Sequence, residues 1–351
     1  MRYTLLGRSG LRVSELCLGT MTFDEGAGWG TPKEASQRIF TAFLEAGGNF
    51  IDTHTYGPTE DYLGEFMGRN RDRVVLGTKY GGTLDPDDVN ASGGHRKSMV
   101  RSVESSLRRL RTDYIDLLWL HAWDPLTPVE EVLRAGDDLV RSGKVLYLGI
   151  ANAPAWTVAR ANTLADLRGW TPFAAVQVEY SLVERDVDRE LRPMAQSLGL
   201  GVAAWTPLAS GWLTGKYTRD QSGGPQRSDA TGSRRRLDDP IMTRFLSRTE
   251  RNIAIADEVC TVAAEIGCAP AHVALNWLRQ RGAIPIFGAT SVEQVRENVG
   301  CFAFGLSEDH ITRLTTVSAV KLGFPHDFLA SGIVKKLMYG RHAGWIDGHR
   351  R

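Results

Sequence analysis

Leu16-Cys17-Leu18-Gly19-Thr20-Met21-Thr22-Phe23 is the stretch whose reading decides the fold. A short apolar run ends at a glycine, and a mixed loop follows in place of a Gly-x-Gly-x-x-Gly turn. An open, doubly wound sheet that binds a dinucleotide carries that glycine pattern directly after its first strand. The rest of the chain reads as a succession of parallel βα units, which build either an open sheet or a closed barrel. Without the glycine turn, the α/β chain is predicted to be a (β/α)8 TIM barrel.

Outward from that run, seven more of the same kind follow: Asn49–Asp52, Val74–Lys79, Ile115–His121, Val145–Asn152, Ala174–Glu179, Val202–Trp205 and Ala283–Gly288. Gly19, Asp52, Lys79, His121, Asn152, Gln177 and Trp205 fall 33, 27, 42, 31, 25 and 28 residues apart, room for one strand, one helix and two loops each. Trp205 to Gly288 spans 83 residues and must hold an insertion, placed at about 212–248. Within it Thr218–Asp239 is rich in Gly, Ser, Asp and Arg and reads as a surface loop. Helical spacing predicts Lys33–Ala46 with Ala35, Ile39, Ala42, Phe43 and Ala46 inward, and Ser98–Leu110 with Val100, Val103, Leu107 and Leu110 inward. Thr127 and Pro128 read as the N-cap and first residue of another helix. Tyr3–Leu5 and Leu11–Val13 flank a Gly-Arg-Ser-Gly turn, a β-hairpin plugging one end. Beyond Ser307 come a helix pattern (Ile311, Leu314, Val317) and a Gly/Phe/Pro-rich extension, so residues 1–351 form one domain with a C-terminal extension over about 307–351.

Composition agrees with a globular enzyme-sized domain: 42% hydrophobic, 24% charged, formal net charge +1. That balance gives no electrostatic case for nucleic acid or membrane, and Arg234-Arg235-Arg236 is too short to supply one. Four scattered cysteines (Cys17, Cys260, Cys268, Cys301) form no CxxC and no secreted-type framework. With no apolar leader and no long apolar run, a cytoplasmic location is expected.

In a βα barrel the carboxyl ends of the strands face one mouth, where chemistry resides. Here those ends carry Asp52, His54 and Tyr56, then Lys79, then His121, on three successive strands. Taken singly, a terminal Lys is a solvated end, a lone His a satisfied core residue and a Tyr before Gly a turn residue. Convergence on one mouth gives the set meaning. A free phenol titrates near 10, too high for an acid working at neutral pH. A buried ammonium lowers it, a carboxylate holds the ammonium, and an imidazole orients a carbonyl oxygen. Lys79, Asp52 and His121 fill those roles around Tyr56.

The sequence resembles the aldo-keto reductases over almost its whole length, and within them the bacterial and fungal aryl-alcohol-dehydrogenase-like branch, with the bacterial side expected. The marks are Leu18-Gly19-Thr20; Asn49-Phe50-Ile51-Asp52-Thr53 with Tyr56-Gly57; Thr78-Lys79; Asp113-Tyr114-Ile115-Asp116-Leu117 with His121; Val176-Gln177-Val178-Glu179-Tyr180; Pro207-Leu208 with Gly211 and Leu213-Thr214-Gly215-Lys216; and Gly288-Ala289-Thr290 with Gln294 and Asn298. The resemblance implies an Asp52–Tyr56–Lys79–His121 tetrad and an NADP(H)-dependent oxidoreductase acting on a small-molecule carbonyl or alcohol. It implies that Asn152 and Gln177 hold the cofactor's carboxamide and that Trp205, where the family usually has Tyr, stacks on the nicotinamide. Gly19, Thr20 and Met21 then line a ribose. Thr206, Pro207, Leu208, Gly211 and Lys216 continue the cofactor groove. Gly288, Thr290, Ser291, Gln294 and Asn298 take the adenosine phosphate and adenine at a helix start. Phe23, His54 and Trp123 face the substrate, no metal is expected, and the chain works as a monomer or weak homo-oligomer.

Two departures from the family pattern stand out. The usual Asp-Thr-Ala-x-x-Tyr is one residue shorter here, so Tyr62 remains an alternative proton donor. Thr290 replaces a cation that many members use for the 2′-phosphate, leaving Arg234–Arg236 as an alternative source of charge. Two other readings stay open on sequence alone. Asp52, His54 and His121 suit a metal-dependent barrel hydrolase, although such enzymes gather more histidines. The same fold also serves as a redox-sensing β subunit of potassium channels, which sustained turnover distinguishes from an enzyme. The loops bring Phe23, Trp29, Trp123, Trp212, Phe324 and Phe328 towards the mouth, an apolar lining suited to an aromatic or polycyclic carbonyl.

Overall fold

The computed structural model describes residues 1–27, 30–215, 249–342 and 344–346. Eight strands close into a parallel barrel: β3 (Cys17–Gly19), β4 (Phe50–Asp52), β5 (Val75–Tyr80), β6 (Ile115–Leu120), β7 (Val145–Ala151), β8 (Phe173–Glu179), β9 (Gly201–Trp205) and β10 (Ala283–Phe287). Closure comes from β10 pairing with β3 through Ile286↔Cys17 and Phe287↔Leu18. The eight expected runs are these strands, with ends that differ by one residue. They are mainly apolar because both faces are covered, one by the barrel interior and one by helices, with Asp52, Lys79, Gln177 and Glu179 near their carboxyl ends and Asp116 within β6.

The hairpin is also present, as β1 (Tyr3–Leu5) and β2 (Arg12–Ser14), paired in antiparallel register Tyr3↔Ser14. It plugs the end of the barrel opposite the mouth. Leu6 and Val13 join Cys17, Phe50, Leu117, Trp119 and Ile284 in the interior cluster. Gly7 makes the plug possible, since a Cβ there would lie 2.6 Å from the Ala174 carbonyl and the Gly201 amide. Higher in the interior Trp119 fills the barrel, over Gly149, where a Cβ would sit 2.3 Å from the indole. The floor beneath the mouth is therefore solid protein.

Helices α1 (Lys33–Glu45), α2 (Thr59–Met67), α3 (Arg96–Leu110), α4 (Val129–Arg141), α5 (Ala155–Arg168) and α6 (Leu191–Leu198) cover the outside. Between β9 and β10 the described residues hold α7 (Glu250–Ile266) and α8 (Pro270–Gln280), and residues 216–248 of the expected insertion lie outside them. After β10 come α9 (Val292–Val299), α10 (Glu308–Val317), and α11 (His326–Ala330) and α12 (Gly332–Tyr339) in the extension. Two expectations need correction. In α3 the buried stripe runs through Met99, Val103, Leu107 and Leu110, with Ser98, Ser102 and Ser106 allowing close approach, and Val100 is exposed. Thr127 does not cap α4, whose N-cap is Pro128; its hydroxyl instead donates to Asp124 Oδ2 at 2.6 Å, tying the loop after β6 together. Among the described residues no helix is long and apolar enough to cross a membrane.

Candidate active site

Parallel closure brings the strand ends to one mouth, and the polar residues there meet. Lys79, on β5, donates from Nζ to Asp52 Oδ2 at 2.6 Å and to the Thr53 carbonyl at 2.8 Å. Gln177 reaches across from β8, four strands away and so on the opposite wall, donating to Asp52 Oδ1 at 2.9 Å. Asp52 and Lys79 are 7% and 6% exposed. Two charges taken that far from water are tolerable because each is paired and hydrogen-bonded; deleting one partner of such a pair costs about 3–5 kcal/mol. Asp52 is thereby committed on both oxygens, to an ammonium and an amide. That is a poor state for a metal ligand and counts against the hydrolase reading.

Above this pair lie three rings. His54 and Tyr56 have ring centroids 5.7 Å apart, and Tyr56 and His121 are 5.8 Å apart. Gly82 leaves room for the phenol, because a Cβ there would fall 1.8 Å from Tyr56 Oη. Burial first, and the Lys79 charge after it, push both imidazoles down to about 4, so both are neutral at pH 7. Burial raises the Tyr56 pKa above the ordinary phenol value. Among the described residues no hydrogen bond joins the Tyr56 hydroxyl to Lys79, whose bonds go to Asp52 and Thr53. The expected phenol–ammonium contact is not made here. The turn between Asp52 and Tyr56 is short and internally braced: the Tyr56 amide donates to His54 Nδ1 at 3.2 Å, and Thr59 Oγ1 donates to the His54 carbonyl at 3.2 Å. Tyr62 is elsewhere, in α2, packed on Phe66 and under Lys33 in the helical layer.

The far wall is built from support chains. Asn152 Nδ2 donates to the His121 carbonyl at 2.9 Å, and Trp205 Nε1 donates to Asn152 Oδ1 at 3.1 Å. Among the described residues, four of the five non-glycine positions with positive φ lie here: Asn152, Thr206, Ala209 and Ser210. Strained backbone concentrates where a structure must present groups in fixed directions. Pro207 and Leu208 follow Trp205 on this wall, and Gly211 takes φ +96°. Glu179, at the end of β8, was given no separate role by the sequence. Burial and the neighbouring Glu184 raise its carboxyl to about 7, a property that depends on depth and so leaves no mark in the pattern.

The remaining expected residues divide. Gly19 ends β3, Thr20 is buried with its hydroxyl donating to Thr53 Oγ1 at 2.8 Å, and Met21 is exposed. At the start of α9, Ser291 caps Gln294 N at 3.3 Å, and Gln294 Oε1 accepts from the Thr290 amide at 2.8 Å. Gly288 is half-buried and Asn298 buried beside them. Phe23 does not face the mouth. It is fully buried in the helical layer, edge-on to Phe66, and Trp212 is likewise buried with its indole donating to the Asn252 carbonyl. Trp123 is half-buried beside Asn152, while Phe324 and Phe328 are exposed and pack on each other. Lys216, Arg234–Arg236 and Trp29 lie outside the described residues.

The chain is similar to known proteins over nearly its whole length. Residues 15–319 match the model described as the aldo/keto reductase family. The chain is 38% identical over 339 residues to norsolorinic acid reductase A of Aspergillus parasiticus, covering 92% of this chain and 82% of that protein. It is 36% identical over 343 residues to an aryl-alcohol dehydrogenase [NADP(+)] of Phanerodontia chrysosporium, covering 92% and 87%. A putative aryl-alcohol dehydrogenase of Saccharomyces cerevisiae is 31% identical over 350 residues, covering 94% and 90%. These relatives are fungal, which corrects the expectation of a bacterial branch.

Two neutral, half-buried imidazoles have a consequence for stability. An unfolded chain protonates its histidines near 6.5, whereas His54 and His121 wait until about 4. Between those values the unfolded state binds protons that the folded state refuses, so stability falls as pH drops from 6.5 towards 4. His121→Gln should flatten that part of a plot of Tm against pH. An unchanged slope would show that His121 titrates normally in the folded protein.

Proposed function

The chain belongs to the aldo/keto reductase family, and on that premise we propose that it reduces an aromatic or polycyclic aldehyde or ketone to the alcohol, with NADPH as hydride donor. The observation that carries the reading is the buried Lys79–Asp52 pair, bonded across the barrel by Gln177, beneath a phenol and two neutral imidazoles. The donor set fits the cofactor. Gln177 and Asn152 present amides to a carboxamide, and Trp205, pinned by Asn152, offers an indole face for the nicotinamide. Thr206, Pro207, Leu208 and Gly211 continue that wall, and Gly19, Thr20 and Met21 form the opposite edge. Gly288, Thr290, Ser291, Gln294 and Asn298 take the adenosine end. When bound, the nicotinamide supplies hydride to the carbonyl carbon.

The protein's own part is the proton and the geometry. As the carbonyl oxygen gains the electron pair of the broken π bond, Tyr56 Oη gives it a proton. Being 42% exposed, Tyr56 recovers one from solvent. Lys79 has three N–H groups, and two are spent on Asp52 and Thr53. Its positive charge and third donor favour the phenolate left behind, and Asp52 keeps it charged and in place. His121, neutral, donates to the carbonyl oxygen from the other side. Trp123, with Trp205 and Tyr56, supplies flat apolar surface for an aromatic substrate, in keeping with the names of the relatives. We read residues 1–351 as one domain that acts on its small-molecule substrate as a monomer or weak homo-oligomer. Sustained cycling over many turnovers separates this reading from a redox sensor that is oxidised once.

Two measurements test the reading. Tyr56→Phe removes only the proton donor, so carbonyl reduction should fall on the order of a thousandfold or more while NADPH binding holds. A mutant that keeps most of its kcat would move the donor role to another residue. NADPH should bind more tightly than NADH, by tenfold to a hundredfold, or roughly 1.4–2.8 kcal/mol. That preference is modest because the α9 start offers hydroxyls and amides and also an ionised Glu293, held low by its own backbone amide and Ser291. Glu293→Gln should tighten NADPH by about two- to fivefold and leave NADH unchanged. Equal dissociation constants for the two nucleotides in the unmodified protein, by quenching of tryptophan fluorescence, would overturn the assignment.

A further inference from the structure

We infer that His54 is a second hydrogen-bond donor to the substrate's carbonyl oxygen, acting through Nε2–H, an inference that rests on the carbonyl-reductase reading of the mouth. The ladder beside β4 continues one residue past Asp52, since the Thr53 amide donates to the Gly77 carbonyl at 2.8 Å. Extended backbone alternates its side chains, so Asp52 and His54 lie on the same side, towards the barrel axis, with His54 one step nearer the mouth. Its ring stands beside Tyr56, which in turn stands beside His121, and the Lys79 charge bears on it.

The tautomer follows from the hydrogen bonding. Nδ1 accepts from the Tyr56 amide at 3.2 Å and therefore carries no proton in the neutral ring. The single proton is on Nε2, which makes Nε2 a donor. That atom is buried and has no hydrogen-bond partner. Buried donors are almost always satisfied, and one left open in a cluster of reactive groups is most simply explained by a partner that arrives with the substrate. An amide carbonyl of the protein does not meet it; an incoming carbonyl oxygen fits both the charge and the direction of donation. The same residue stands where the family pattern Asp-Thr-Ala-x-x-Tyr has Ala, in a turn one residue shorter. Shortening the turn and placing an imidazole there are thus one change: His54 Nδ1 braces the tight turn and Nε2 faces the space the turn borders. With Tyr56 and His121, His54 would complete a three-donor cup for the oxygen that becomes negative as hydride arrives.

Two isosteric replacements separate the ring's two nitrogens. Gln at position 54 places an amide N–H near Nε2 and nothing at Nδ1; Asn places its oxygen near Nδ1 and nothing at Nε2. With an aromatic ketone and NADPH, His54→Gln should keep kcat/KM within about tenfold of the unmodified protein, and His54→Asn should lose on the order of a hundredfold, mostly in kcat. NADPH affinity should be the same in both. The reverse order, with Asn active and Gln not, would mean that His54 only holds the Tyr56 turn, and overturns the inference. Unmodified rates in both variants would also overturn it. If both fall alike, imidazole nitrogen NMR on the unmodified protein decides: the His54 Nε2 resonance should move when the product alcohol binds the NADP-loaded enzyme, and an unmoved resonance is contrary. Carbonyl reduction by the unmodified protein is measured first. Its absence would refute the reductase reading itself, a failure distinct from any ordering of the two variants.

Discussion

An ammonium and a carboxylate held 2.6 Å apart inside the barrel, Lys79 on Asp52, is the interaction on which the site depends. Neither charge survives at that depth alone, since the loss of hydration for one ion is worth several kcal/mol. The fold answers with a complete set of partners. Thr53 offers its carbonyl to Lys79, and Gln177 brings an amide to Asp52 from the opposite wall. The ion pair joins the neighbouring strands β4 and β5, and closure of the barrel is what brings Gln177 on β8 to the same carboxylate. Beneath them Trp119 and the hairpin plug exclude water from below.

That pair also bears on the two imidazoles above it. Lys79 opposes protonation of His54 and His121, adding to burial, so the mouth holds two neutral imidazoles under a fixed positive charge. In the proposed reaction a neutral imidazole donates to the carbonyl oxygen without giving up its proton, and the proton comes from the phenol. The division suits the proposed reaction: Tyr56 is exposed and can be reprotonated, whereas His54 and His121 are half-buried. Strained backbone at Asn152 and Thr206 then holds the opposite wall, where Asn152 braces both the His121 segment and the Trp205 indole.

Much of this was legible in the sequence, and the exceptions have physical causes. Strands buried on both faces are written as plain apolar runs ending in polar residues, which is why all eight stood out and why Asp52, Lys79, His121 and Gln177 could be placed at one mouth. Loops and surfaces were less readable. Phe23 looks like a mouth residue from its position after β3, yet the chain folds back and buries it on Phe66. Thr127 has the identity of a helix cap, but Asp124 competes for its hydroxyl. On α3 three of the four expected residues, Val103, Leu107 and Leu110, are buried, and Met99 takes the place of Val100 because Ser98, Ser102 and Ser106, read as polar, turn the inward face towards it. Hydrogen bonding was the least visible layer. The residue count showed that the Asp52–Tyr56 turn is short; that His54 would brace it, and that Lys79 would bond Asp52 and Thr53 and not the phenol, depends on three-dimensional closure.

Lys79→Met gives the most direct test of the account. Fluorescence quenching by NADPH first establishes that the variant still folds and binds cofactor; the pH dependence of ketone reduction is then measured beside the unmodified protein. If the ammonium governs the mouth, the rate falls on the order of a thousandfold or more and the pH profile of what remains is displaced. A variant with the same rate and the same profile would contradict the account at its centre.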